Sequence, residues 1–263
     1  MKYGKKILLC AGMLLWVLVW SAQSGHVFAS DSRPEAEVVW AQSDGLRLEL
    51  FRSRLQGGTW NQPQQITNDN ADNVHPSVDT GPDGITWLAW TAIEQGKYEI
   101  RYTHTDKDGN WLEPASFPSP LPSNIAPSLV VDGGGVIWMV WSGNDGVHND
   151  EIYYSRFQDG KWQQPALVNQ PNNVPDILPE LNRDADGSRH VRWQGYRQNR
   201  YIELESSWSH QGWTQERIVE KMSKQAARAG MDIAQEKKRV QKKIELPSFV
   251  PDDRQACLRI FTK

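Results

Sequence analysis

Cysteine is nearly missing from this chain: 263 residues hold two, Cys10 and Cys257. Cys10 sits in an N-terminal apolar run and follows Leu9 rather than a small residue, which makes it a poor lipid-attachment site. If that run is removed, Cys257 stands alone, no intramolecular disulfide can form, and stability has to come from burial. Long hydrophobic stretches are equally scarce. The run Ile7 to Trp20 follows Lys2, Lys5 and Lys6 and precedes Val27-Phe28-Ala29, a small-residue cleavage site. It is short and wrongly flanked for a membrane span, so residues 1–29 read as a secretory signal peptide. The expectation is an exported protein, periplasmic or extracellular, with no stable membrane span once the signal is cleaved. A basic surface is lacking as well. The formal net charge is -3, and residues 30–219 alone carry -11, which argues against nucleic acid as a partner.

Against these scarcities, tryptophan is abundant and periodic. Trp60, Trp111, Trp162 and Trp213 stand 51 residues apart. A second set, Trp40, Trp90, Trp141 and Trp193, recurs at 50 to 52, and Glu49, Glu99, Glu151 and Glu203 follow it by nine or ten. Such a period marks one supersecondary unit repeated four times. In the second unit, Pro76-Ser77-Val78 begins a strand, Asp83-Gly84 turns it, and Ile85 to Trp90 runs back; Tyr98 to Tyr102 follows, Asp108-Gly109 turns again, and Trp111 opens the last strand. Asp-Gly is read here as the positive-φ pair of two-residue hairpin loops. In the second strand both alternating sets are apolar, Ile85, Trp87 and Ala89 against Leu88 and Trp90, so both faces are expected to be covered. Four-stranded antiparallel meanders stacked face to face around an axis make an all-β fold, a β-propeller, with residues 30–219 as its repeats.

The ends of the repeat region are irregular. Fourteen residues separate the first-strand proline from the second-strand tryptophan in Pro76 to Trp90, Pro127 to Trp141 and Pro179 to Trp193, and again separate Pro247 from Phe261. Residues 244–263 therefore read either as a partial fifth blade or as strands that close the ring against the first unit, which lacks its own first strand. Between them, residues 220–243 lack proline, are rich in Ala, Gln, Lys and Arg, and carry eight basic against three acidic residues. An inserted basic helix is predicted, either a solvated surface helix or one that docks an anionic partner.

Repetition itself argues against chemistry. The glutamate series recurs in every unit and the tryptophans have core spacing, whereas catalytic sites break symmetry. The symmetry-breaking segments lie between the second and third strands, Ser142 to Asp150 in unit three and Gln194 to Tyr201 in unit four. The inter-unit loops around Asn73-Val74-His75 share their face. Asn73, His75, Asn144, Asp145, His148, Asp150, Tyr196, Arg197 and Arg200 are accordingly the candidate ligand-binding residues, with the amides, acids, imidazole and aromatic rings suited to a polar ligand such as a sugar. The competing reading is that Asn, Asp and Gly only make turns there. Asp145, His148 and Asp150 are too few and too turn-like for a metal assignment, and no cofactor motif is present.

The stretch Val140-Trp141-Ser142-Gly143-Asn144-Asp145-Gly146, then Glu151-Ile152-Tyr153-Tyr154-Ser155 and Asp159-Gly160-Lys161-Trp162, resembles the repeat of exported bacterial neuraminidase-repeat proteins in the sialidase-like superfamily. The resemblance covers nearly all of residues 34–219 and implies a propeller. It departs at the Asp-box, Ser/Thr-x-Asp-x-Gly-x-x-Trp: Asp83-Gly84-Ile85-Thr86-Trp87 puts Asp directly beside Gly. A sialidase also needs an arginine triad, a tyrosine nucleophile with its glutamate and an aspartic acid. Arg101, Arg156, Arg192, Arg197 and Arg200 stand in no such motif. The expected function is a non-catalytic propeller that binds a glycan or another envelope component, with a glycan or an envelope protein as its partner; the alternatives are a sialidase-type glycoside hydrolase and a structural interaction module.

Overall fold

Strand after strand in this chain alternates apolar positions on both faces, and the architecture follows from covering them. The computed structural model describes residues 35–184, 186–219, 245–251 and 256–260, without the side chains of 259 and 260. The expected signal and basic helix lie outside the described residues, which are all β-strand, turn and loop. They form four antiparallel meanders. The first joins β1 (Ala36–Ser43), β2 (Leu48–Gln56), β3 (Thr59–Trp60) and β4 (Gln64–Gln65). The second joins β5 (Asp72–Thr80), β6 (Thr86–Glu94), β7 (Lys97–His104) and β8 (Ala115–Ser116). The third holds β9 (Ser123–Val131), β10 (Ile137–Asn144), β11 (Glu151–Gln158), β12 (Lys161–Trp162) and β13 (Ala166–Leu167). The fourth holds β14 (Asp176–Arg183), β15 (Arg189–Arg197), β16 (Arg200–Ser209), β17 (Gly212–Trp213) and β18 (Arg217–Ile218). A single parallel bridge, Tyr98 to Ser123, links the second sheet to the third.

Three cores separate the four sheets. Leu88, Trp90 and Ala92 of β6 pack with Val39, Ala41 and Leu50 of the first sheet. The alternate residues Trp87 and Ala89 pack with Leu129, Met139 and Trp141 of the third. On β10 the pattern repeats, with Trp138 and Val140 turned to Val191, Trp193 and Leu204 of the fourth. β6 and β10 are therefore buried on both sides, as the two apolar sets of Ile85 to Trp90 require, whereas β15 alternates buried and partly exposed positions. Trp40, Trp90, Trp141 and Trp193 are at most 1% exposed. The first strands of all four sheets line one narrow channel, the arrangement of a β-propeller.

The turns differ from their sequence reading. Among the Asp-Gly pairs, only Asp159-Gly160 has positive φ at both residues, 53° and 75°. At Asp83-Gly84, Asp108-Gly109 and Asp186-Gly187 the glycine alone is left-handed, and its N–H closes on the carbonyl three residues earlier. These are longer loops in which the carboxylate of an Asp caps nearby N–H groups, as Asp106 does for Asp108 and Asn110. The two-residue hairpin loops fall instead at Gly57-Gly58, Gln95-Gly96, Asp159-Gly160 and Gln198-Asn199. The outer strands are shorter than expected: Trp111 makes only an isolated bridge to Thr105.

The first meander obtains its missing strand from the far end of the chain. β19 (Ala256–Ile260) pairs antiparallel with β1 from Ala36–Ile260 to Trp40–Ala256. Phe249 lies 5.5 Å from the Trp40 ring, and Trp60 Nε1 donates to the Glu245 carbonyl at 2.9 Å. Residues 247–250 form a turn closed by Val250 N to Pro247 O, not a first strand. β19 thus takes a first-strand place in the first sheet, and no fifth sheet forms among the described residues. Without it, β1, whose first six residues are all buried, would present a bare apolar edge. Deletion of residues 244–263 is expected to lower the melting temperature by roughly 10 °C and to cause self-association in light scattering. A deletion variant as stable and monomeric as the full chain would overturn this role.

Candidate functional site

The face where each second strand ends, each third strand begins and each inter-sheet connection enters is built around a buried indole. Trp90 Nε1 donates to Asn73 Oδ1 at 2.6 Å, Trp141 to Asn124 Oδ1 at 2.9 Å, and Trp193 to Asp176 Oδ1 at 3.1 Å. In the first sheet the indole of Trp40 turns to Gln42 of its own strand. Two residues beyond each first-strand acceptor, His75, Ala126 and Leu178 adopt left-handed φ of 52–54° just before Pro76, Pro127 and Pro179. The strand register shifts there, a β-bulge in each unit.

Symmetry breaks most sharply between the third and fourth sheets. Glu151 and Asp176 are both buried, at 1% and 0% exposure, and two amides span them. Asn169 Nδ2 contacts Glu151 Oε2 at 2.5 Å and Asp176 Oδ2 at 2.8 Å; Asn172 Nδ2 reaches Asp176 Oδ2 at 2.8 Å. Burial pushes the Glu151 carboxyl up to about 7, the neighbouring Asp176 adding to the effect. Arg197 contacts Asp176 at 3.2 Å and Glu216 at 3.0 Å. Gly195 permits this approach, because a Cβ there would lie 2.5 Å from Asp176 Oδ1 and 2.4 Å from Leu204. At the junction of the first two sheets the same places hold Glu49, Thr67 and Asn73, so a single buried acid meets neutral partners.

The predicted site residues divide into three groups. Asn73 is fully buried and bound to Glu49, Asp69 and Trp90, so its amide belongs to the framework. Arg197 is likewise committed, to Asp176 and Glu216. His75 lies instead on the axial channel, with its Nδ1 buried and without a partner among the described residues. Burial lowers its pKa, so the ring is neutral at pH 7. The third group reaches solvent. Asn144 donates to Asp150 at 3.1 Å, and Asp145 Oδ1 caps the N–H groups of Val147 and His148 while its Oδ2 sits 2.8 Å from His148 Nδ1. The backbone N–H of His148, with its ring and the Val147 N–H, holds Asp145 far below the usual carboxylate range, and the Asp145 carboxylate in turn raises the His148 pKa. In unit four, the segment read as a loop is mostly strand: β15 and β16 meet in the two-residue turn Gln198-Asn199, with φ of 50° and 60°. Asn tolerates this conformation, but without glycine the turn is easily missed. Tyr196 and Tyr201 pack edge to face at 5.2 Å beside it, and Arg200 begins β16.

Between the first strands lies an open pocket of about 260 Å³. His75, Ser77, Ser128, Leu178 and Cys257 are among its walls. Ser77 and Ser128 are already engaged, each accepting a backbone N–H from the next sheet, Leu129 and Leu181. The glutamate series is not a ring of equivalents. Glu49 and Glu151 are buried, Glu99 pairs with Arg101 at 2.7 Å, and Glu203 is exposed. The Glu151–Asp176 pair was visible in the sequence only indirectly: unit four has Asp176 where units two and three have Asn73 and Asn124, and Arg197 where the others have Asp44, Glu94 and Asp145.

No family model matches the chain, and no curated protein matches it in sequence. Solved structures do share its fold. A protein of unknown function from Dyadobacter fermentans DSM 18053 superposes with a TM-score of 0.54 at 13% identity, over 66% of this chain and 58% of that one. A Trypanosoma rangeli sialidase in complex with the inhibitor DANA gives 0.52 at 12%, over 70% and 36%. The α-L-arabinofuranosidase Arb93A from Fusarium graminearum, in complex with an iminosugar inhibitor, gives 0.50 at 11%, over 67% and 62%. The chain spans less than two thirds of each of these proteins. What these likenesses show is the fold, a β-propeller.

Two outcomes follow from the buried acids. Arg197→Ala leaves Asp176 buried without its cation and is expected to cost about 3 kcal/mol in urea unfolding, whereas Arg200→Ala costs under about 0.5 kcal/mol. Equal effects would show that the ion pair is not structural. The folded state also holds a proton on Glu151 between its ordinary value of 4.5 and about 7, where the unfolded chain does not. Stability therefore falls as pH rises through that window and levels off above it. The raised His148 pKa acts in the same direction above about 6.5. Glu151→Gln is expected to flatten the fall between pH 5 and 7, read from melting temperatures, and a slope unchanged in that variant would refute the assignment.

Proposed function

We propose that this chain is an exported, non-catalytic β-propeller of four blades that binds a glycan or another cell-envelope component. The binding face carries the unit-three loop Asn144 to Asp150 and the tip of the β15–β16 hairpin. Tyr201, 49% exposed, supplies an aromatic face beside Tyr196, and Arg200, Asp145 and Asp150 supply polar contacts. The glycan class is carried over, as a proposal, from the sialidase and the arabinofuranosidase that share the fold.

The observation that most supports binding over hydrolysis is where the guanidinium groups lie. Arg101 is held by Asp69, Glu94 and Glu99, Arg192 by Glu205, and Arg197 by Asp176 and Glu216. Arg156 stacks on Trp138 at 5.1 Å. Among the described residues, the axial channel is lined by His75, Cys257, serines, prolines and apolar side chains rather than by arginines. That no arginine among the described residues lines this channel supports binding over a carboxylate-clamping hydrolysis.

Glycan-array screening of the purified protein, followed by titration of a hit, tests the reading. Tyr201→Ala with Arg200→Ala is expected to weaken binding at least tenfold with the melting temperature unchanged within about 2 °C. A fluorogenic sialoside is expected not to turn over. Turnover that survives purification to homogeneity would replace this reading with the sialidase-type hydrolase, and a hit unaffected by the double variant would move the site elsewhere.

A further inference from the structure

The repeat allows one junction between sheets to be compared with the next. At the third-to-fourth junction, on the edge of the sheets opposite the face described above, the chain binds its own cation. The Arg189 guanidinium lies 4.3 Å from the Trp138 ring centroid and 2.6 Å from Asp132 Oδ2. Trp208 packs against Trp138 at 4.9 Å, and the Arg156 guanidinium lies 5.1 Å from the Trp138 ring centroid and 5.8 Å from that of Trp208.

The second-to-third junction has the same frame without the cations. Trp87 corresponds to Trp138, each standing three residues before the buried tryptophan of its strand. Phe157 takes the place of Trp208 and packs on Trp87 at the same 4.9 Å. Arg189 stands four residues before Trp193, and the residue four before Trp141 is Ile137. Arg156, paired with Trp138, is replaced by His104, paired with Trp87. The Asp132 position is Gly81, since both open the loop after the first strand with the same backbone bonds. Yet a carboxylate is supplied there too: Asp83 folds back so that its Oδ1 lies 2.6 Å from where a Gly81 Cβ would be. What results is an open cleft of about 660 Å³ in place of a filled one.

We propose that this cleft binds the guanidinium group of an arginine side chain presented by a partner polypeptide. Trp87 offers the ring, Asp83 the carboxylate, and the volume admits the side chain together with flanking backbone. Asp106 and Asp159 add negative charge to the rim against the single cation Lys107. His104 Nδ1 lies 3.1 Å from the Thr105 carbonyl, and as donor to it leaves Nε2 as an acceptor facing no protein partner among the described residues. A planar guanidinium suits this frame better than an ammonium, because it stacks on an indole and forks to a carboxylate at once. The proposal is independent of glycan binding, which concerns the opposite edge of the sheets.

Calorimetric or NMR titration of the purified protein with acetyl-Gly-Arg-Gly-amide tests it, with the lysine and citrulline peptides as controls. The arginine peptide is expected to bind with a Kd on the order of 1 mM, at least fivefold tighter than the lysine peptide, with the citrulline peptide not binding. Ile137→Arg supplies the chain's own guanidinium, as Arg189 does next door, and is expected to abolish binding. Because Ile137 is buried and that variant could misfold, the exposed Asp83→Asn provides a second reading, expected to weaken binding at least threefold. Equal affinity for the citrulline or lysine peptide, no binding of the arginine peptide up to about 50 mM, or full binding by Asp83→Asn would each overturn the proposal.

Discussion

The four fully buried indoles, Trp40, Trp90, Trp141 and Trp193, each have an acceptor for their N–H, unlike Trp111, Trp162 and Trp213, and much of the structure is arranged around that pairing. Leaving such an N–H unpaired in the core costs about 1–3 kcal/mol, so each central tryptophan draws a polar side chain from the strand before it. In three sheets that acceptor lies 17 residues upstream: Asn73 for Trp90, Asn124 for Trp141, Asp176 for Trp193. Seating the acceptor sets the register of the first strand, and the bulge two residues later restores pairing around Pro76, Pro127 and Pro179. When the acceptor is a carboxylate, as at Asp176, the same demand extends to a counter-ion. Arg197 becomes framework, and Glu151 is held protonated up to near neutral pH. The first sheet shows the converse. Its first strand arrives from the distant β19, so Trp40 uses Gln42 beside it.

The fold was largely legible because its signals are repetitive and strong. Four tryptophans in one register, with apolar residues on both faces of the same strand, admit little besides sheets stacked on both sides. Local turn chemistry was less legible. Asp-Gly occurs both in two-residue hairpins and in longer capped loops, and only the backbone at Asp159-Gly160 against Asp83-Gly84 separates them. Gln198-Asn199 carries no glycine, so a tight hairpin read as a loop. The candidate site was half legible: the unit-three loop and the Tyr196 hairpin tip reach solvent, whereas Asn73 and Arg197 look alike in sequence but serve the interior. Polarity at a sheet edge does not reveal whether a side chain points to water or to a buried indole. That distinction depends on partners from the next unit, about 50 residues away, and periodicity does not encode them.

Divergence at equivalent positions is where the chemistry differs between units. The place filled by Trp87 and Trp138 is Glu37 in the first sheet, fully buried and paired with Arg54 at 2.9 Å. The strand partner of that place changes in step: Arg54 beside Glu37, His104 beside Trp87, Arg156 beside Trp138. One geometry thus holds an ion pair, an open aromatic cleft and a stacked guanidinium in successive units. The strand pairing stays constant although Trp87 and Trp138 themselves belong to the neighbouring cores.

The pairing of β19 with β1 joins residues more than 200 positions apart, while the other sheets are built from neighbours in the chain. On a ribosome, sheets two to four can form and stack as soon as they emerge, but the first sheet must wait for residues 256–260 to be made. Its exposed edge is then an interval of vulnerability during synthesis, open to chaperones, proteases or a strand from another nascent copy. Closing a loop of that length costs more chain entropy than any pairing within sheets two to four, so the docking of β19 is the contact of highest sequence separation in the fold.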